Sequence, residues 1–600
     1  MKEVHLVCNA HIDPIWQWEW DEGAAAAIST FQSAVNLADE FDYIFCHNEV
    51  TLYKYIEEYT PDLFEKIKRL IAAGKWHVMG GWYLQPDCNM PCGESFVRQI
   101  QVGHKYFREK FGVNPTTAIN FDPFGHSRGL VQIIKKCGQD SYLICRPGIN
   151  DTDPPLKDRQ FLWRGFDGST IKVNLCNFYV SQLGEAAGKI SRETKNEPQD
   201  VICVLWGVGN HGGGPSRKDL GDIETLMKNS GAKMTHSTPE NFFARINPEY
   251  VYDYSLWTSM PGCYTTMSRI KNRHMQLENE LYLTEKMCSA ASIKGLMDYP
   301  QNEFNEAVED LLNAEFHDVL PGSSIQAAEE SGLRYFDHAL HILQKLKVKS
   351  FFALSATQET AEQGEFPILV FNPNPYEFKT NIECELMIER NDGQEEWTEL
   401  TVFDSAGNKL PLQSIKTEGN VNLDWRKRVI FEGSLKPFET ARFSIYTKMV
   451  PFALPPERDC VTVATENKYV EIDRDTGLLK SFRLDGKEYI SNGFLPVMFD
   501  DNEDPWAMAS REHKEGMGTN RQPFKPMRKP NGIFKGLKQV ETIEDGEIYL
   551  GVESFFEKDN SKVRVEYKIY KNTPYIDVNV TVFWNEANKM LKLEIPVCTR

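Results

Sequence analysis

A histidine and an aspartate stand two residues apart near the start of the chain. His11 and Asp13 follow the apolar run VHLVCNA, which predicts a strand. In an extended chain, residues two apart point to the same side, so both side chains can reach one ligand. Imidazole and carboxylate are both zinc donors. The HxD pattern therefore makes a candidate metal pair, although by itself it occurs more often as a surface histidine and a capping aspartate.

Asp122 stands at the end of a second apolar run, in the segment NFDPFGHS at 120–127. Pro123 imposes an extended or turn conformation on it. A carboxylate at a strand end is suited to attack an electrophilic carbon or to bind a metal. The alternative is an Asp-Pro turn without a chemical role.

A second histidine–aspartate pair, His317 and Asp318, lies in AEFHDVLPGSS at 314–324. The pair closes an apolar helical run that Pro-Gly ends. On such a helix a buried histidine is usually a satisfied core residue. His317 becomes a ligand if the helices pack over the mouth of the N-terminal domain.

Two loops carry glycines or aromatic residues near these polar side chains. In LWGVGNHGGGPS at 205–216, consecutive glycines permit positive φ, but no GK[ST] follows, so this is not a phosphate-binding loop. GGWYLQPDCNMPCGES at 80–95 joins HIDPIWQWEW in supplying tryptophans close to carboxylates. Sugar sites combine flat aromatic faces with carboxylates, whereas core packing is the alternative for each tryptophan.

The elements that must position these residues fall into three regions. Up to about residue 255, short apolar strands alternate with amphipathic runs, which predicts an α/β domain over 1–260 with a mostly parallel sheet or a barrel. Such folds collect ligands at the carboxyl ends of their strands. Three long helical runs predict a bundle over 261–357 that contributes to the site. Period-two alternation over 358–600 predicts antiparallel β-sandwich domains, cut short where the chain stops within a strand.

Length, charge and cysteine usage exclude several classes of protein. A chain of 600 residues needs several hydrophobic cores. Its net charge of −19 argues against nucleic acid or an anionic membrane as partner, and no segment approaches the ~20 apolar residues of a membrane span. The N-terminus lacks a signal-peptide pattern, and the 13 irregularly spaced cysteines suit free thiols in a reducing cytosol. We therefore expect a cytoplasmic protein, and the sequence leaves a homo-oligomer open.

Taken together, these segments resemble glycoside hydrolase family 38, the retaining α-mannosidases. HIDPIW, DPFGHS and FHDVLPGSS occur in the order and spacing of that family along residues 1–355, and the β-rich remainder fits the same architecture. The resemblance implies a (β/α)7-type barrel as the N-terminal domain, followed by the helical bundle and the β-sandwich region. It also implies hydrolysis of terminal α-linked mannose from a mannose-containing oligosaccharide, with zinc as cofactor.

The resemblance also implies roles for individual residues. Asp122 is the expected nucleophile, which forms a covalent glycosyl intermediate that water releases with net retention. Zinc is expected to orient the ring through two hydroxyls and to act as a Lewis acid. Its expected ligands are His11, Asp13, Asp122 and His317. The expected substrate contacts are Trp16, Phe124, Asp318 and the nucleophile-supporting Arg146 from the resemblance, and Trp82 and Asp87 from the aromatic loop.

The sequence departs from the family in three places. Many relatives carry an aspartate in the glycine-rich loop as candidate general acid, where this chain has Asn210 and His211. An asparagine cannot donate a catalytic proton, so we expect His211 to be the acid, with Asp87 as the alternative. Gln85 and Cys92 replace the Glu and Ser that relatives often have, and we expect this exchange to alter the rim of the sugar site. Family members also usually extend well past 600 residues.

Two other functions fit the same residues. A zinc-dependent carbohydrate deacetylase also uses HxD-like ligands on a barrel, but it needs only a metal-bound water and no covalent aspartate. A non-catalytic mannoside-binding paralogue is the second, because Asn210 and His211 replace the usual acid. Trapping with a fluorinated mannosyl donor separates the deacetylase from a retaining mannosidase, and cleavage of an activated aryl α-mannoside separates the paralogue.

Overall fold

The computed structural model of the chain describes residues 2–257, 260–388, 395–419, 425–452, 459–501, 504–506, 520–527 and 539–598. By its internal contacts the chain divides into two compact units. The first comprises Met1–Glu285, Pro300–Lys347 and Asp504–Arg511, and the second comprises Lys286–Tyr299, Val348–Glu503 and Glu512–Arg600. Across the described ranges, no helix combines the length and the apolar character that crossing a bilayer requires.

Short buried strands alternate with helices over residues 2–257. β1 and β8 are almost continuously buried, as expected for parallel strands covered on both faces. The strands are β1 (Glu3–Cys8), β2 (Phe45–His47), β3 (Trp76–Val78), β4 (Thr117–Asn120), β5 (Ser141–Ile144), β6 (Gln160–Arg164), β7 (Thr170–Leu175), β8 (Val201–Trp206), β9 (Lys233–His236) and β10 (Val251–Tyr252). The helices are α1 (Trp20–Ala38), α2 (Val50–Tyr59), α3 (Pro61–Ala72), α4 (Gly93–Phe111), α5 (Leu130–Lys136), α6 (Ala186–Asn196), α7 (Arg217–Asn229) and α8 (Pro239–Phe243).

Within residues 2–257 the strands form two five-stranded sheets. The first has the order β3–β2–β1–β8, with β9 also beside β1, and its pairs are parallel. The second has the order β10–β6–β7–β5–β4, and only β6 and β7 are antiparallel. The predicted (β/α)7-type barrel is not confirmed, since hydrogen bonding leaves two separate sheets. The tight turn at Gly168, with φ +84°, makes β6 and β7 a hairpin where a barrel requires a helical crossover.

The amphipathic run TLYKYIEEYTPDLFEKIKRLIAAG is split into α2 and α3, which meet at Thr60. Pro61 stands in the first turn of α3, where its missing N–H is harmless, and it prevents α2 from continuing. Leu52 and Ile56 of α2 and Ile67 of α3 are buried. Burial of this apolar stripe holds both short helices against the sheet.

Parallel register brings the strand ends that carry the motifs to one edge of each sheet. Cys8, the last residue of β1, pairs with Trp206, the last residue of β8. In the second sheet, Asn120, Ile144 and Leu175 end β4, β5 and β7 side by side. The HxD motif, the glycine-rich loop and the DPFGHS motif each follow one of these strand ends. This is the edge at which ligands collect in parallel sheets.

Residues 261–355 form a short 3-10 helix, Pro261–Tyr264, and three long helices, α9 (Ser268–Ile293), α10 (Gln301–Ala314) and α11 (Gln326–Ser355). His317 and Asp318 lie in the turns between α10 and α11, not on a helix as predicted. The helix ends there because the backbone N–H of His317 donates to the carbonyl oxygen of Gln85 at 3.3 Å, not to a carbonyl of the preceding turn.

From residue 365 onward the described strands pair antiparallel, as predicted. Sheets ordered β11–β17–β13–β14 and β12–β16–β15 share a core that includes Ile382, Val402, Val429, Phe431 and Phe443, which is the packing of a β-sandwich. The later sheets are ordered β18–β19–β20–β21, β23–β22–β29 and β24–β26–β27–β28, with β25 beside β26. The bounds are β11 (Glu365–Phe371), β12 (Phe378–Met387), β13 (Glu396–Phe403), β14 (Lys409–Leu410), β15 (Leu412–Ile415), β16 (Arg426–Leu435), β17 (Thr440–Pro451), β18 (Thr462–Ala464), β19 (Lys468–Ile472), β20 (Leu479–Leu484), β21 (Lys487–Gly493), β22 (Leu495–Asp500), β23 (Gln522–Pro523), β24 (Lys525–Pro526), β25 (Val540–Asp545), β26 (Tyr549–Lys558), β27 (Ser561–Tyr570), β28 (Asp577–Phe583) and β29 (Lys589–Glu594).

Candidate active site

Four residues predicted as metal ligands lie together. Nε2 of His11 is 2.9 Å from Oδ1 of Asp13 and 3.9 Å from Oδ2 of Asp122. Nε2 of His317 is 3.6 Å from the same Oδ1 of Asp13. The two imidazole rings stack with their centroids 5.5 Å apart, and both histidines are at most 1% exposed. Three separate segments of the chain therefore converge on one buried point.

The donor atoms of this cluster fit a metal ion. Nε2 of His11, Nε2 of His317 and Oδ1 of Asp13 are buried and make no well-directed hydrogen bond to any residue that the structure describes. Ligand atoms of His11, Asp122 and His317 lie within 4.8 Å of one another, and a second such group joins Asp13 and Asp318 to His317. Zinc takes these nitrogen and carboxylate donors at about 2.0–2.2 Å. Because buried unpaired donors are costly, a cation suits this position.

Burial and opposite charges shift the pKa values in the cluster. Burial lowers the pKa of His317, but the neighbouring carboxylates of Asp13 and Asp318 outweigh burial and raise the pKa to about 10. Burial raises the pKa of Asp13, but His11 outweighs it and brings the value to about 2. Burial raises the pKa of Asp318 to about 7, although His317 opposes the rise. The negative charge of the buried carboxylates therefore has to be balanced, either by protons on the histidines or by a metal ion.

Two donors hold the carboxylate of Asp122. Nε of Arg146 donates to Oδ1, and the hydroxyl of Tyr179 donates to Oδ2 at 2.7 Å. Burial lowers the pKa of Arg146, but the charge of Asp122 outweighs burial and moves it above its usual range. Both oxygens of the carboxylate are thus fixed in direction, and a permanent positive charge stands beside one of them.

Tyr179 is a site residue that the sequence patterns do not single out. It follows the end of β7, as Asp122 follows the end of β4. A polar side chain after a parallel strand is typical of a site residue, so the position of Tyr179 in the sequence is consistent with a site role. A tyrosine in the segment NFYVSQ equally suggests core packing, and nothing local distinguishes the two.

A cavity of about 200 Å³ adjoins this cluster. A cavity of this size suits a single sugar ring better than a chain of sugars. Its polar lining residues are Asp13, Asp122, Arg146, Asn210 and Asp318. Its other lining residues are Trp16, Phe124, Phe178, Tyr179, Met260 and Trp506.

The predicted contacts Trp16 and Asp318 are held by one short segment. The hydroxyl of Ser323 donates to Oδ1 of Asp318. The carbonyl oxygen of Ser323 accepts from Nε1 of Trp16 at 3.2 Å. The N–H of Ile325 donates to the carbonyl oxygen of Trp16 at 3.0 Å. These hydrogen bonds fix both side chains in the cavity wall.

Three family descriptions match the chain in sequence order. Residues 1–260 match the N-terminal domain of glycosyl hydrolases family 38, residues 256–354 match the α-mannosidase middle domain, and residues 463–600 match the family 38 C-terminal domain. The chain belongs to glycoside hydrolase family 38. The HxD and DPFGHS motifs lie in the first matched region, and His317 lies in the second.

Relatives of this family 38 chain are named α-mannosidases. Alpha-mannosidase G of Dictyostelium discoideum is 23% identical over 98% of this chain and 56% of its own length. Alpha-mannosidase 2C1 of Mus musculus is 25% identical over 100% of this chain and 55% of its own length. The chain therefore spans about half the length of the curated relatives it matches. The crystal structure of an α-mannosidase from Enterococcus faecalis V583 aligns with 99% of this chain and 75% of that chain, at 15% identity and a TM-score of 0.79, which shows a shared fold.

His211, the predicted general acid of this family 38 chain, is not among the described residues of the cavity wall. Its side chain is 51% exposed, its Nε2 lies 2.7 Å from Oε1 of Glu22, and its ring meets that of Trp18 edge-on at 4.2 Å. The preceding residue, Asn210, has φ +69° and lines the cavity instead. The turn of the glycine-rich loop thus presents the amide, and not the imidazole, to the cavity.

Trp82 and Asp87, predicted as sugar contacts, are buried away from the described cavity wall. Trp82 is 2% exposed and donates its Nε1 to Oε1 of Gln139 at 2.9 Å, in an apolar cluster with Phe96. Asp87 is fully buried, and its Oδ1 accepts from the N–H of Met90 at 2.7 Å. Trp82 therefore stabilises the core, and Asp87 stabilises the loop. The sequence suggested a sugar contact for Trp82 because cores of α/β domains accept the same aromatic residues that sugar sites use.

The two replacements, Gln85 and Cys92, are likewise not among the described residues that line the cavity. Gln85 is fully buried and contacts His11 and His317. Cys92 is exposed at the start of α4, where its N–H donates to Oε1 of Glu278 at 2.7 Å. The expectation that this exchange alters the rim of the site is wrong for Gln85, which lies behind the ligands.

Proposed function

We propose that the chain hydrolyses terminal α-linked mannose from mannose-containing oligosaccharides with retention of configuration. The observation that carries this proposal is Asp122, a carboxylate in the wall of a small cavity whose two oxygens are held by Arg146 and Tyr179. A carboxylate fixed in this way is suited to form an ester with the anomeric carbon. The α-mannosidase names of the relatives support mannose as the sugar.

The reaction proceeds in two displacements. In the first, the carboxylate of Asp122 bonds to the anomeric carbon while the bond from that carbon to the leaving oxygen breaks. The leaving oxygen takes a proton, for which His211 is the proposed donor. Because its ring pairs with Glu22 while Asn210 lines the cavity, this role requires the loop to turn the imidazole inward when the sugar binds. In the second, water attacks the same carbon, its proton passes to the donor, and the ester bond to Asp122 breaks. Two inversions give net retention.

The remaining wall residues bind and orient the sugar. Asp318 accepts hydrogen bonds from sugar hydroxyls, and its hydrogen bond from Ser323 fixes the direction of the carboxylate. The rings of Trp16 and Phe124 pack against the C–H faces of the sugar and exclude water from the reacting carbon. Arg146 holds Asp122 in the direction of attack.

The cofactor in this proposal is zinc, held by His11, Asp13, Asp122 and His317. The buried donor atoms without well-directed partners support a metal there, and two imidazoles with two carboxylates are a donor set that suits zinc. When bound, zinc supplies a Lewis acid that orients the sugar hydroxyls.

The test uses the full chain loaded with zinc and a 5-fluoro-mannosyl fluoride, which slows the second displacement. Peptide mass spectrometry should find the mannosyl group on Asp122, and NMR of a cleaved aryl α-mannoside should show the α-anomer first. An inverted product would contradict the nucleophile. A zinc-dependent deacetylase would release acetate without a mannosyl-enzyme, and a non-catalytic paralogue would bind mannosides without cleaving them.

We also propose a cytoplasmic location. The 13 cysteines all lie in the described part of the chain and form no disulfide with one another there, which is typical of a reducing compartment. Fractionation of the source cells tests it. A homo-oligomer stays a prediction, and light scattering of the purified chain would settle it.

A further inference from the structure

Gln85 is a fully buried polar residue that lies behind the ligand cluster. It follows β3 and contacts residues from four distant parts of the chain. Its backbone N–H donates to Oε1 of Glu49 at 3.1 Å. Glu49 is itself 1% exposed and adopts φ +73°, a conformation that a non-glycine residue adopts only when its surroundings impose it. The hydrogen bond to Glu49 thus fixes the backbone of Gln85 in place.

The remaining hydrogen bonds of Gln85 reach the proposed metal ligands. Its carbonyl oxygen accepts from Nδ1 of His317 at 2.9 Å. Its Nε2 donates to Nδ1 of His11 at 3.2 Å. Its Oε1 accepts from the N–H of Phe121 at 2.6 Å, and Phe121 directly precedes Asp122. One residue therefore bonds to both imidazoles and to the backbone beside the nucleophile.

These contacts determine the direction of the ligand atoms. Because Nδ1–H of His317 is bonded to a carbonyl oxygen, Nε2 is the nitrogen that faces Asp13 and that a metal ion would bind in place of a proton. At His11 the contact is of the opposite kind, because the amide N–H of Gln85 donates to Nδ1. It turns Nε2 of that ring toward Asp13 and leaves the ring hydrogen on Nε2, so a metal ion bound there would move this hydrogen to Nδ1 and end the bond. The partners of a ligand histidine's second nitrogen commonly set the orientation of the ring and the strength of metal binding.

We propose that Gln85 is a positioning residue for the metal site: it aligns His11, His317 and the strand end before Asp122 with one another. This inference rests on the proposed metal site. In this role the side chain touches neither the ion nor the sugar, and its effect passes through the three segments it joins.

A glutamine that merely satisfies buried polar groups is the competing explanation, and Gln139 provides a matched control. Gln139 is also fully buried, accepts from Nε1 of Trp82 at 2.9 Å and donates to the carbonyl oxygen of Gly80 at 2.6 Å. Its hydrogen bonds do not involve the ligand cluster. Gln85→Met and Gln139→Met remove the same atoms from equally buried sites.

The experiment measures zinc affinity by competition with a chromophoric chelator, and the absorption spectrum of the Co²⁺-loaded full chain. Gln85→Met should weaken zinc binding by about 10–100-fold and shift the Co²⁺ bands, since the ring of His11 and the backbone before Asp122 lose their fixed directions. The bond from His317 to the backbone carbonyl oxygen of residue 85 remains in this variant. Gln85→Glu, which still accepts from Phe121, should bind zinc more tightly than Gln85→Met. Gln139→Met should lower the melting temperature while leaving zinc affinity and the Co²⁺ spectrum unchanged.

Equal zinc affinity and equal Co²⁺ spectra for Gln85→Met and wild type would overturn the inference while leaving the metal site intact. If Gln85→Met does not fold, Gln85→Asn takes its place with the same expectation, because the shorter side chain cannot reach His11 and Phe121 together. Failure of the wild-type chain to bind zinc would instead remove the proposed metal site, and this inference with it.

Discussion

The hydroxyl of Tyr179 donates a hydrogen bond to Oδ2 of Asp122, the oxygen that also lies 3.9 Å from Nε2 of His11. The second oxygen of the carboxylate is bonded to Nε of Arg146. Tyr179 therefore holds the oxygen that faces the ligand cluster, while Arg146 holds the other. Rotation of the carboxylate would break both bonds, so Asp122 has one orientation in the cavity.

Replacing Tyr179 tests this orientation. Tyr179→Phe removes a hydrogen bond to a charged group, typically about 1.5–3 kcal/mol, so kcat/KM on an aryl α-mannoside should fall by about 10–100-fold. Tyr142→Phe is the control, because its hydroxyl is also buried and lies 2.8 Å from Nδ1 of His126, outside the cavity lining. Tyr142→Phe should change the melting temperature and not kcat/KM. Equal kinetics for the two variants would count against a role for Tyr179.

Asp122→Asn should abolish turnover. An amide cannot form the glycosyl ester, so we expect kcat to fall by about 10⁴–10⁶-fold, the scale on which removal of a nucleophile is felt. Circular dichroism should show an intact fold. Substantial cleavage of a natural mannoside by this variant would reject Asp122 as the nucleophile.

Removal of metal should cost both activity and stability. Chelation leaves the donor atoms of His11, Asp13 and His317 buried without a cation, so the melting temperature should fall. Zinc at about 100 times its Kd should restore roughly 2.7 kcal/mol. In His317→Gln, the same addition should raise the melting temperature far less. Full activity in protein whose metal content is zero by elemental analysis would contradict the proposal.

The role of His211 can be isolated by the choice of leaving group. A natural disaccharide needs a proton on its leaving oxygen, whereas a dinitrophenolate departs without one. His211→Ala should therefore slow disaccharide cleavage by about 10²–10⁴-fold and spare the dinitrophenyl α-mannoside. Equal losses on both substrates would make His211, which pairs with Glu22, a structural residue.

Substitution of Trp16 in the cavity wall and of Trp82 in the core should have different effects. Trp82→Phe leaves Oε1 of Gln139 unpaired, so the free energy of unfolding should fall by about 1–3 kcal/mol while KM is unchanged. Trp16→Phe reshapes the cavity wall and should raise KM. Urea unfolding and steady-state kinetics of both variants check this contrast. A raised KM in Trp82→Phe would restore the predicted sugar contact.

The candidate site residues whose convergence follows most directly from the sequence are those at strand ends. His11, Asp13 and Asp122 each follow a parallel strand, and their residue types limit the chemistry available. The sequence did not distinguish Trp16 from Trp82, because a tryptophan suits a sugar face and a core equally. The hairpin of β6 and β7 was also missed, since only hydrogen-bond partners distant in sequence determine whether a strand is parallel.

Gln85 shows why some functional contacts lie beyond sequence patterns. Its neighbours in the loop suggested a rim position, yet its hydrogen bonds reach residues near 11, 49, 121 and 317. Such a set of partners exists only after the sheets and helices have packed. A single buried glutamine forms no periodic pattern in the sequence, so sequence patterns cannot identify it.

The turn between α10 and α11 also sets the order in which the site is completed during synthesis. His11, Asp13 and Asp122 leave the ribosome well before His317, which follows α10. A nascent chain that has folded its two sheets therefore exposes an incomplete set of donors. The last imidazole arrives only with the helices, so capture of an ion by the complete site is a late event, and a chain truncated within α10 would lack His317 and with it the complete set of donors.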